Sequence, residues 1–316
     1  MGARDPIASV VITTFNRADL IGRAIASALK QTAHNIEIIV VDDGSTDGTD
    51  SIVRSFGDPR LTYVRETINR GAVWAANRGV ELARADLIAN LDSDDEARPA
   101  WVEKLSAAMS ESPDVGMAWP FKALHLATGE TYAVVRSRPF RKGYPKSLVP
   151  IMTWWTPGWG GVMVRRAVFD QIGLCDADVS HMFDRDLPLR FAVSAKWTVR
   201  VVPEVLYDVH DHAGSHLASL SPGFISSLQR FIEKHESTLA SYPRVHSMWL
   251  YRLARACYAL GRDAEGDAWL WRAIKTWPLA GKPAAYWAAK KCGLEWAWNR
   301  AGQARQSFRT ALTLRP

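Results

Sequence analysis

Short apolar runs rich in β-branched residues alternate with stretches of helical periodicity along the first 120 residues. The runs predict strands at residues 8–14, 36–41, 61–64, 86–91 and 115–119. The stretches between them predict helices over 20–29, over a segment that begins within 46–50, and over 73–83 and 99–109. Near-continuous apolar strands connected by helices are typical of parallel strands that are covered on both faces. We therefore expect an α/β fold whose sheet is mixed but mostly parallel.

The pattern changes after residue 120. Residues 120–160 mix Gly, Pro, Arg and aromatic residues with little periodicity. Beyond them the sequence predicts strands at 162–164, 199–202 and 205–209, and helices at 167–172 and 187–192. From Pro222 onward the pattern is helical throughout and rich in Ala, Trp and Arg.

A weak repeat marks this helical region. Residues 273–278 are echoed by residues 311–316 at an interval of 38 residues, which is close to the tetratricopeptide length, and Gly261 falls where a helix-hairpin turn is expected. Fewer than three such repeats do not make a free-standing solenoid. We therefore predict a helical subdomain over residues 222–316.

Charge is placed unevenly along the 316 residues. Residues 225–316 hold 15 Lys and Arg against 6 Asp and Glu, so the helical region is basic. Such an excess indicates a membrane surface, an anionic substrate or a solvated helical face. Three widely spaced Cys indicate neither a disulfide framework nor a zinc site, which is typical of the cytoplasm. No apolar run reaches transmembrane length without Pro or Gly, so any membrane contact is expected to be peripheral.

Two predicted strands end in carboxylates. The strand at 86–91 runs into Asp92, Ser93, Asp94 and Asp95, and an earlier one runs into Asp42 and Asp43. Clustered carboxylates without nearby Cys favour a hard divalent cation, Mg²⁺ or Mn²⁺. The alternative for the later turn is an acidic cap of the helix that begins near Pro99.

Two common nucleotide-binding motifs are absent. The sequence has no Gly-x-Gly-x-x-Gly between the acidic turns and no P-loop, which argues against a dinucleotide oxidoreductase and a P-loop enzyme. The assignment that remains is a site in which a carboxylate accepts a hydrogen bond from a base or a ribose and a metal ion holds a diphosphate.

Four motifs within residues 10–95 resemble the inverting glycosyltransferases of family 2, which have the Rossmann-like GT-A fold. The motifs are VVITTFNR at 10–17, VVDDGSTDGT at 40–49, Asn69–Gly71 with Ala76–Gly79, and LDSDD at 91–95. The resemblance implies that Thr13 and Asp43 hold a uracil-type base, and that Asp92 and Asp94 bind the ribose and the metal on the diphosphate. Arg70 and Asn77 are expected to lie near the diphosphate or to support the loop that binds it. The implied nucleotide-sugar site comprises Thr13, Phe15, Arg17, Asp43, Arg70, Asn77, Asp92 and Ser93.

The resemblance extends less sharply to about residue 216. Residues 160–166 look like the acceptor-side strand of the family, and residues 183–190 look like its Glu-Asp-x-Asp-x-x-x-Arg motif. The Asp of that motif is the general base of the family, which implies Asp184, although this chain has Phe183 where Glu is usual and Pro188 where an aromatic residue is common. The alternative role for Asp184 is a helix N-cap.

Acceptor binding is expected from aromatic and glycine residues upstream of that motif. The expected acceptor-side residues are Trp155, Trp159, Gly160 and Gly161. Tryptophans can form a stacking face for a sugar ring, and the alternative is that they anchor the loop.

Histidines follow the last predicted strand, where the family often supplies a ligand to the metal or the diphosphate. His210 matches that position best, and the alternative for His210, His212 and His216 is an ordinary surface role. The implied metal ligands are Asp94 and His210, with Mn²⁺ or Mg²⁺ as the ion.

The sequence therefore predicts a metal-dependent, inverting glycosyltransferase that takes a sugar from a nucleoside diphosphate, with UDP favoured. The acceptor is expected to be a hydroxyl of a glycan or glycolipid in cell-surface polysaccharide synthesis. The catalytic domain is assigned to 1–221, with a nucleotide-binding half at 1–119 and an acceptor-binding half at 120–221. We expect a cytoplasmic location that extends to the inner membrane face, and no nucleic-acid partner. The alternative is a degenerate transferase domain that serves as a scaffold through its helical tail.

Overall fold

The structure, a computed structural model, describes residues 5–126, 131–135, 147–153, 156–212, 221–279 and 281–293. The chain divides into two compact units, residues 1–214 and residues 215–316. The predicted boundary lies at 221/222, close to this division.

The first unit is built on one sheet. Its described strands are β1 (Ala8–Thr14), β2 (Ile36–Asp42), β3 (Leu61–Arg65), β4 (Leu87–Asp92), β5 (Glu96–Ala97), β6 (Val115–His125), β7 (Thr131–Val135), β8 (Met163–Arg165) and β9 (Thr198–His210). They are ordered β3-β2-β1-β4-β8-β6-β9-β5, and β7 pairs with β6. Strands β3, β2, β1 and β4 are parallel to one another, β8 is antiparallel to both of its neighbours, and β6 is parallel to β9. The predicted mixed, mostly parallel sheet is confirmed.

Helices connect these strands. They are α1 (Ala18–Leu29), α2 (Thr49–Ser55), α3 (Ala72–Leu82), α4 (Trp101–Ser110), α5 (Val149–Met152), α6 (Arg166–Ile172) and α7 (Phe183–Ser194), and a 3₁₀ helix spans Ala177–Met182. None of the helices in the described residues combines the length and the apolar character that crossing a bilayer requires.

Strand β1 shows why both faces of the sheet are covered. Val10 and Ile12 point to one face, where they pack in a buried cluster with Ile21 of α1 and Trp101 of α4. Val11 points to the other face and meets α3, because successive strand residues alternate between faces. A Cβ at position 79 of α3 would lie 2.2 Å from Val11 Cγ1, so this helix approaches closely only because Gly79 has no side chain. Each fully buried Val or Ile stabilises the fold by about 1.5–3 kcal/mol.

Two strands of the sheet, β6 and β9, extend further than the apolar pattern indicates. The predicted strand 115–119 continues to His125, and the two predicted strands 199–202 and 205–209 form the single strand β9. Both differences have one cause. Val202 pairs with Pro120 and Val205 with Phe121, so Pro203 and its neighbour bulge out of the ladder. A bulge accommodates a proline that has no N–H to donate, and the pairing continues beyond it.

The second unit contains five described helices. These are α8 (Pro222–Lys234), α9 (Glu236–Ala240), α10 (Pro243–Ala259), α11 (Asp263–Thr276) and α12 (Gly281–Lys291). Ser221 caps α8, because its Oγ accepts from the Phe224 N–H at 3.1 Å. Gly261, at φ +71°, makes the predicted turn between α10 and α11. The second copy of the weak repeat, at 311–316, lies outside the described residues.

The buried carboxylate of Glu37 ties β1 and β2 to the segment that leads into β4. Glu37 on β2 accepts from Ser9 Oγ at 2.6 Å, from the Arg84 N–H at 2.7 Å and from Arg84 Nε at 2.8 Å. Ser9 Oγ in turn accepts from the Ala85 N–H at 3.1 Å. Burial opposes ionisation of Glu37, but the hydrogen bonds from Ser9 and Arg84 outweigh it, so the pKa of Glu37 is lowered.

We predict that Glu37→Gln lowers the free energy of unfolding by about 1–3 kcal/mol at pH 7, because an amide cannot accept all of these bonds. The folded-state pKa lies below the ordinary value of 4.5, so the stabilisation is complete above that pH and is lost as the pH falls through the folded pKa. Urea unfolding of wild type and variant from pH 7 to pH 3 should therefore show converging stabilities. Glu204→Gln, which removes an exposed pair with Lys104, is the matched control and should cost under about 0.5 kcal/mol.

Candidate active site

The carboxyl ends of β1, β2 and β4 open at one edge of the sheet. The strand register sets Thr13 of β1 beside both Val41 of β2 and Asp92 of β4, and sets Thr14 beside Asp42. Because the strands are parallel, the turns that follow them leave the sheet in the same direction. The two acidic turns that the sequence singles out therefore lie side by side.

The turn after β2 is held by its own carboxylates. Asp42 accepts from the Ser45 N–H at 2.8 Å and from the Tyr63 hydroxyl at 2.6 Å. Asp43, only 2% exposed, accepts from the backbone N–H groups of Arg70 and Gly71 at 2.8 and 2.7 Å. Asp43 thus ties the loop before α3 to the end of β2, and any bond to a nucleobase must use its remaining lone pairs.

The turn after β1 is locked to the same loop. The Asn16 N–H donates to Ser45 Oγ at 2.8 Å, and Asn16 Oδ1 accepts from the Thr46 N–H at 2.8 Å. Phe15, beside Asn16, leaves 43% of its surface exposed at this edge. The guanidinium of Arg70 is exposed too, and lies 5.0 Å from the ring centroid of Trp74. An exposed aromatic ring and a cation beside fixed turns are groups that a nucleotide can use.

The turn after β4 concentrates negative charge in a buried place. Asp92 Oδ1 accepts from the side-chain amide of Asn90 at 2.9 Å, and the Tyr207 hydroxyl lies 3.0 Å from the Asp92 N–H. Burial and then the charge of Asp94 raise the pKa of Asp92, while burial and then the charge of Asp92 raise the pKa of Asp95. Buried carboxylates whose pKa is raised by a neighbouring carboxylate favour the binding of a cation.

Asp94 is surrounded by positive or protonatable groups. His212 Nε2 lies 2.9 Å from Asp94 Oδ2, and Arg17 NH2 lies 3.8 Å from the same oxygen. Arg23 donates to the Asp94 backbone carbonyl. Of the histidines that follow β9, His212 is therefore in direct contact with the predicted metal ligand.

His210, which the sequence favours as a ligand, is placed differently. Its backbone N–H donates to Asp95 Oδ1 at 3.0 Å, and its ring stacks on His125 at 4.6 Å between centroids. Its Nε2 is buried without a hydrogen-bond partner, and burial lowers the pKa of His210 to about 4. His125 Nε2 is hydrogen-bonded to Asp208 Oδ1 at 2.8 Å, and Arg98 Nε donates to the other oxygen of Asp208. His216, the third histidine, lies outside the described residues.

The donor groups of this turn fit a hard divalent cation. Carboxylate oxygens are the preferred ligands of Mg²⁺ and Mn²⁺, and a neutral imidazole can serve as a further ligand. No group of three or more His, Cys, Asp or Glu side chains in the described part of the chain forms a ready-made cage. Mg²⁺ commonly binds to one or two carboxylates and completes its shell with water and substrate phosphates, and Asp94, with His212 beside it, fits such a site. Ser93, between Asp92 and Asp94, is 8% exposed.

The predicted acceptor-side glycines touch the acidic turn. A Cβ at Gly160 would lie 2.3 Å from Asp92 Oδ2, and one at Gly161 would lie 2.8 Å from the Tyr207 ring. Trp159 is half-buried and packs edge-on against Phe183 at 5.9 Å, and its Nε1 is buried without a hydrogen-bond partner. Trp155 lies outside the described residues. The short loop before β8 therefore contacts both the acidic turn and the start of α7.

Asp184 lies in the first turn of α7. The N-cap of this helix is Met182, so the N-cap alternative for Asp184 is wrong. Its side chain is 34% exposed and lies 3.7 Å from Arg185 Nε, and its charge contributes to the raised pKa of Asp92. A partly exposed carboxylate within electrostatic reach of the acidic turn is suitably placed for a general base.

The rest of the predicted α7 motif is structural. Asp186 is fully buried and accepts from Arg190 Nε at 2.7 Å. Arg190 also donates to the carbonyl oxygens of Ile172, Gly173 and Leu174. This pair therefore fixes α7 to the turn after α6.

Asn77 holds the next residue of that turn. Its side-chain amide donates to the Cys175 carbonyl at 2.8 Å and accepts from the Cys175 N–H at 2.9 Å. Asn77 therefore joins α3 to the turn after α6, and its expected place near the diphosphate or in support of its loop stays a prediction.

Two residues, Lys122 and His212, make contacts in the site that the sequence does not predict. The Lys122 ammonium donates to the Pro157 carbonyl at 2.8 Å and to the Gly160 carbonyl, and lies 5.4 Å from the Tyr207 ring centroid. A lone lysine inside the apolar run Trp119–Leu124 is the signal that could have identified it. For His212, the only signal was its place two residues beyond His210.

Comparison with known proteins agrees with this geometry. The model of the family described as glycosyl transferase family 2 matches residues 9–148. WcaA of Escherichia coli K12, described as a colanic acid biosynthesis glycosyl transferase, is 30% identical over 238 residues, which are 73% of this chain and 82% of WcaA.

Two solved structures share the fold. S. aureus TarS 1–349 in complex with UDP-GlcNAc aligns with a TM-score of 0.59 at 20% identity, over 78% of this chain and 72% of that one. The mannosyltransferase PcManGT of Pyrobaculum calidifontis, in complex with GDP-Man and Mn²⁺, aligns with a TM-score of 0.57 at 19% identity, over 98% of this chain and 87% of that one. The predicted GT-A architecture is confirmed, and this chain belongs to glycosyltransferase family 2.

Proposed function

We propose that this protein transfers a sugar from a nucleoside diphosphate, UDP in the first instance, to a hydroxyl of a glycan or glycolipid, with inversion at the anomeric carbon. The observation that carries the proposal is the pairing of β1, β2 and β4, which gathers Thr13, Asp43 and the acidic turn at one edge, within electrostatic reach of Asp184. The E. coli relative WcaA is named for colanic acid biosynthesis, which supports a role in polysaccharide synthesis.

In the proposed reaction the donor lies along the carboxyl ends of the parallel strands. Thr13 and Asp43 would bind the base, and Phe15 and Arg70 are exposed beside it. Asp92 and Ser93 would face the ribose, and Arg17, within 3.8 Å of Asp94, would add positive charge near the diphosphate. A Mn²⁺ or Mg²⁺ held by Asp94 with His212 would neutralise charge on the leaving diphosphate.

Asp184 would take the proton of the acceptor hydroxyl as the oxygen attacks the anomeric carbon. The bond from that carbon to the phosphate oxygen breaks, and its electron pair leaves with the diphosphate. A single displacement of this kind inverts the anomeric centre and needs one base but no covalent intermediate. Trp159, next to Phe183, would form part of the acceptor face.

We predict that UDP binds more tightly with Mn²⁺ than without it, and that Asp94→Asn lowers the affinity in Mn²⁺ by about 10–100-fold. Titration calorimetry with UDP and GDP measures both effects. Asp170→Asn, which removes an exposed carboxylate on α6, is the matched control and should bind like wild type. Equal affinity of wild type and Asp94→Asn in Mn²⁺ would contradict the metal role. Absence of binding to either nucleotide would remove the donor assignment and favour the scaffold alternative.

A second prediction concerns the base. Asp184→Asn should lower kcat by a factor of about 10²–10⁴, because an amide cannot accept the acceptor proton. The affinity for UDP should stay within about twofold of wild type, since the donor groups lie on other strands. Rates of UDP release with a donor that wild type turns over test this, with Asp170→Asn again as control. A loss of UDP affinity as large as the loss of rate would contradict the assignment.

We further propose that the helical unit makes a peripheral contact with an anionic membrane at its inner face. The cationic excess of residues 225–316 supports this, as do the exposed, stacked rings of Trp271 and Trp287 at 5.9 Å. Co-sedimentation should show binding to phosphatidylglycerol vesicles that weakens with salt, and no binding to neutral phosphatidylcholine vesicles. Binding that is absent, or that does not respond to salt, would remove the membrane proposal and leave the transferase proposal untouched.

A further inference from the structure

Lys122 lies where β6 is irregular. The register of β6 against β9 shifts at Phe121 and Lys122, directly after Pro120. Such irregularities re-aim a side chain out of the normal alternation of a strand. Here the side chain reaches the short loop before β8, named the 157–160 loop below, and lies over the ring of Tyr207.

The ammonium of Lys122 holds this loop at both ends. It donates to the carbonyl oxygen of Pro157 at 2.8 Å and to that of Gly160. Charged donors make stronger hydrogen bonds than neutral ones, and two bonds from one nitrogen fix the separation of the two carbonyl groups. The loop between them is therefore pinned by a single side chain.

The pinned loop connects the two halves of the proposed reaction. Gly160 abuts the carboxylate of Asp92, and Trp159 packs on Phe183, which directly precedes Asp184. A shift of this loop would move the wall between the donor carboxylate and the base. Misplacement of about 1 Å in such a wall can cost a factor of about a hundred in rate.

The lysine also lies close to the carboxylates of the site. Burial lowers the pKa of Lys122, and the charges of Asp92, Asp95 and Asp184 oppose this lowering. Lys122 is therefore within electrostatic reach of both the acidic turn and the proposed base. A neutral side chain at position 122 would leave two carbonyl groups without their donor and three carboxylates without this cation.

We propose that Lys122 is a positioning residue: its ammonium holds the 157–160 loop against Asp92 and beside the base-bearing helix, and so sets the place of the acceptor. The reaction role rests on the proposed transferase function. The loop clamp itself rests only on the contacts of Lys122.

The test compares Lys122→Met, which keeps length and loses charge, with Lys122→Arg, which keeps charge and changes shape. Lys30→Met, the same substitution at an exposed lysine after α1, is the matched control. Hydrogen exchange with mass spectrometry reports the loop directly through the amides of Gly161 and Val162, which donate to Asn90 O and Trp159 O. Calorimetry with UDP reports the donor side.

In Lys122→Met we expect these two amides to exchange about tenfold faster, since a tenfold change corresponds to the loss of one net charge-assisted hydrogen bond. UDP affinity should stay within about twofold of wild type. With the donor and acceptor that wild type turns over, kcat should fall about ten- to a hundredfold and the acceptor KM should rise, while the donor KM does not change. Lys122→Arg should restore most of the exchange protection and part of kcat.

Unchanged exchange and turnover in Lys122→Met would overturn the proposal, as would faster exchange with unchanged turnover or an equal loss of UDP affinity and rate. If Lys122→Met does not fold, as judged by thermal unfolding, Lys122→Arg carries the test: a raised acceptor KM with unchanged UDP affinity supports the proposal, and wild-type kinetics overturn it. If wild type turns over no nucleotide sugar, the transferase function fails, and the exchange measurement still decides whether Lys122 clamps the loop.

Discussion

Repulsion between carboxylates at the end of β4 is the constraint on which the site depends. Burial, and then the charge of a neighbouring carboxylate, raises the pKa of Asp92 and that of Asp95. Basic side chains lie at this turn: Lys122 is within electrostatic reach of Asp92 and Asp95, and Arg17 and Arg23 contact Asp94 from the turn before α1 and from α1. In the proposed donor site, a metal-bound diphosphate would therefore meet carboxylates whose charge is already partly compensated.

Other acidic residues of the same unit serve the backbone. The carboxylate oxygens of Asp42, Asp43 and Glu37 accept hydrogen bonds from N–H and hydroxyl groups of neighbouring segments. Asp186 with Arg190, and Asn77 with Cys175, fix the turn after α6 in the same way. These hydrogen bonds tie loops that lack secondary structure of their own to the strands and helices beside them. Rigid loops on a rigid sheet are what a transfer between two bound substrates needs, because both must be aligned before the reaction.

The sequence predicts most strands and helices of the first 120 residues, because their apolar runs are local and alternate clearly, but it misses the short β5 and, in the segment of weak periodicity, β7 and α5. The acidic turns after β2 and β4 could be predicted to meet for the same reason, since parallel strands bring their carboxyl ends to one edge. The roles of Lys122, His212 and Glu37 could not, because each depends on partners that are distant in the chain, such as Gly160, Asp94 and Arg84. The continuation of β6 and β9 past prolines was missed because a bulge is a property of two strands together. For Asn77, the motif identified the residue, and only the structure shows where its amide bonds.

The contacts of Gly160 and Gly161 bear on how such an enzyme can acquire new acceptors. Neither position has room for a Cβ, because Asp92 and Tyr207 lie directly against them. At this end of the loop, Asp92 and Tyr207 exclude a side chain larger than that of glycine. Under the proposed function, variation toward different glycan acceptors would therefore have to enter at positions other than this glycine pair.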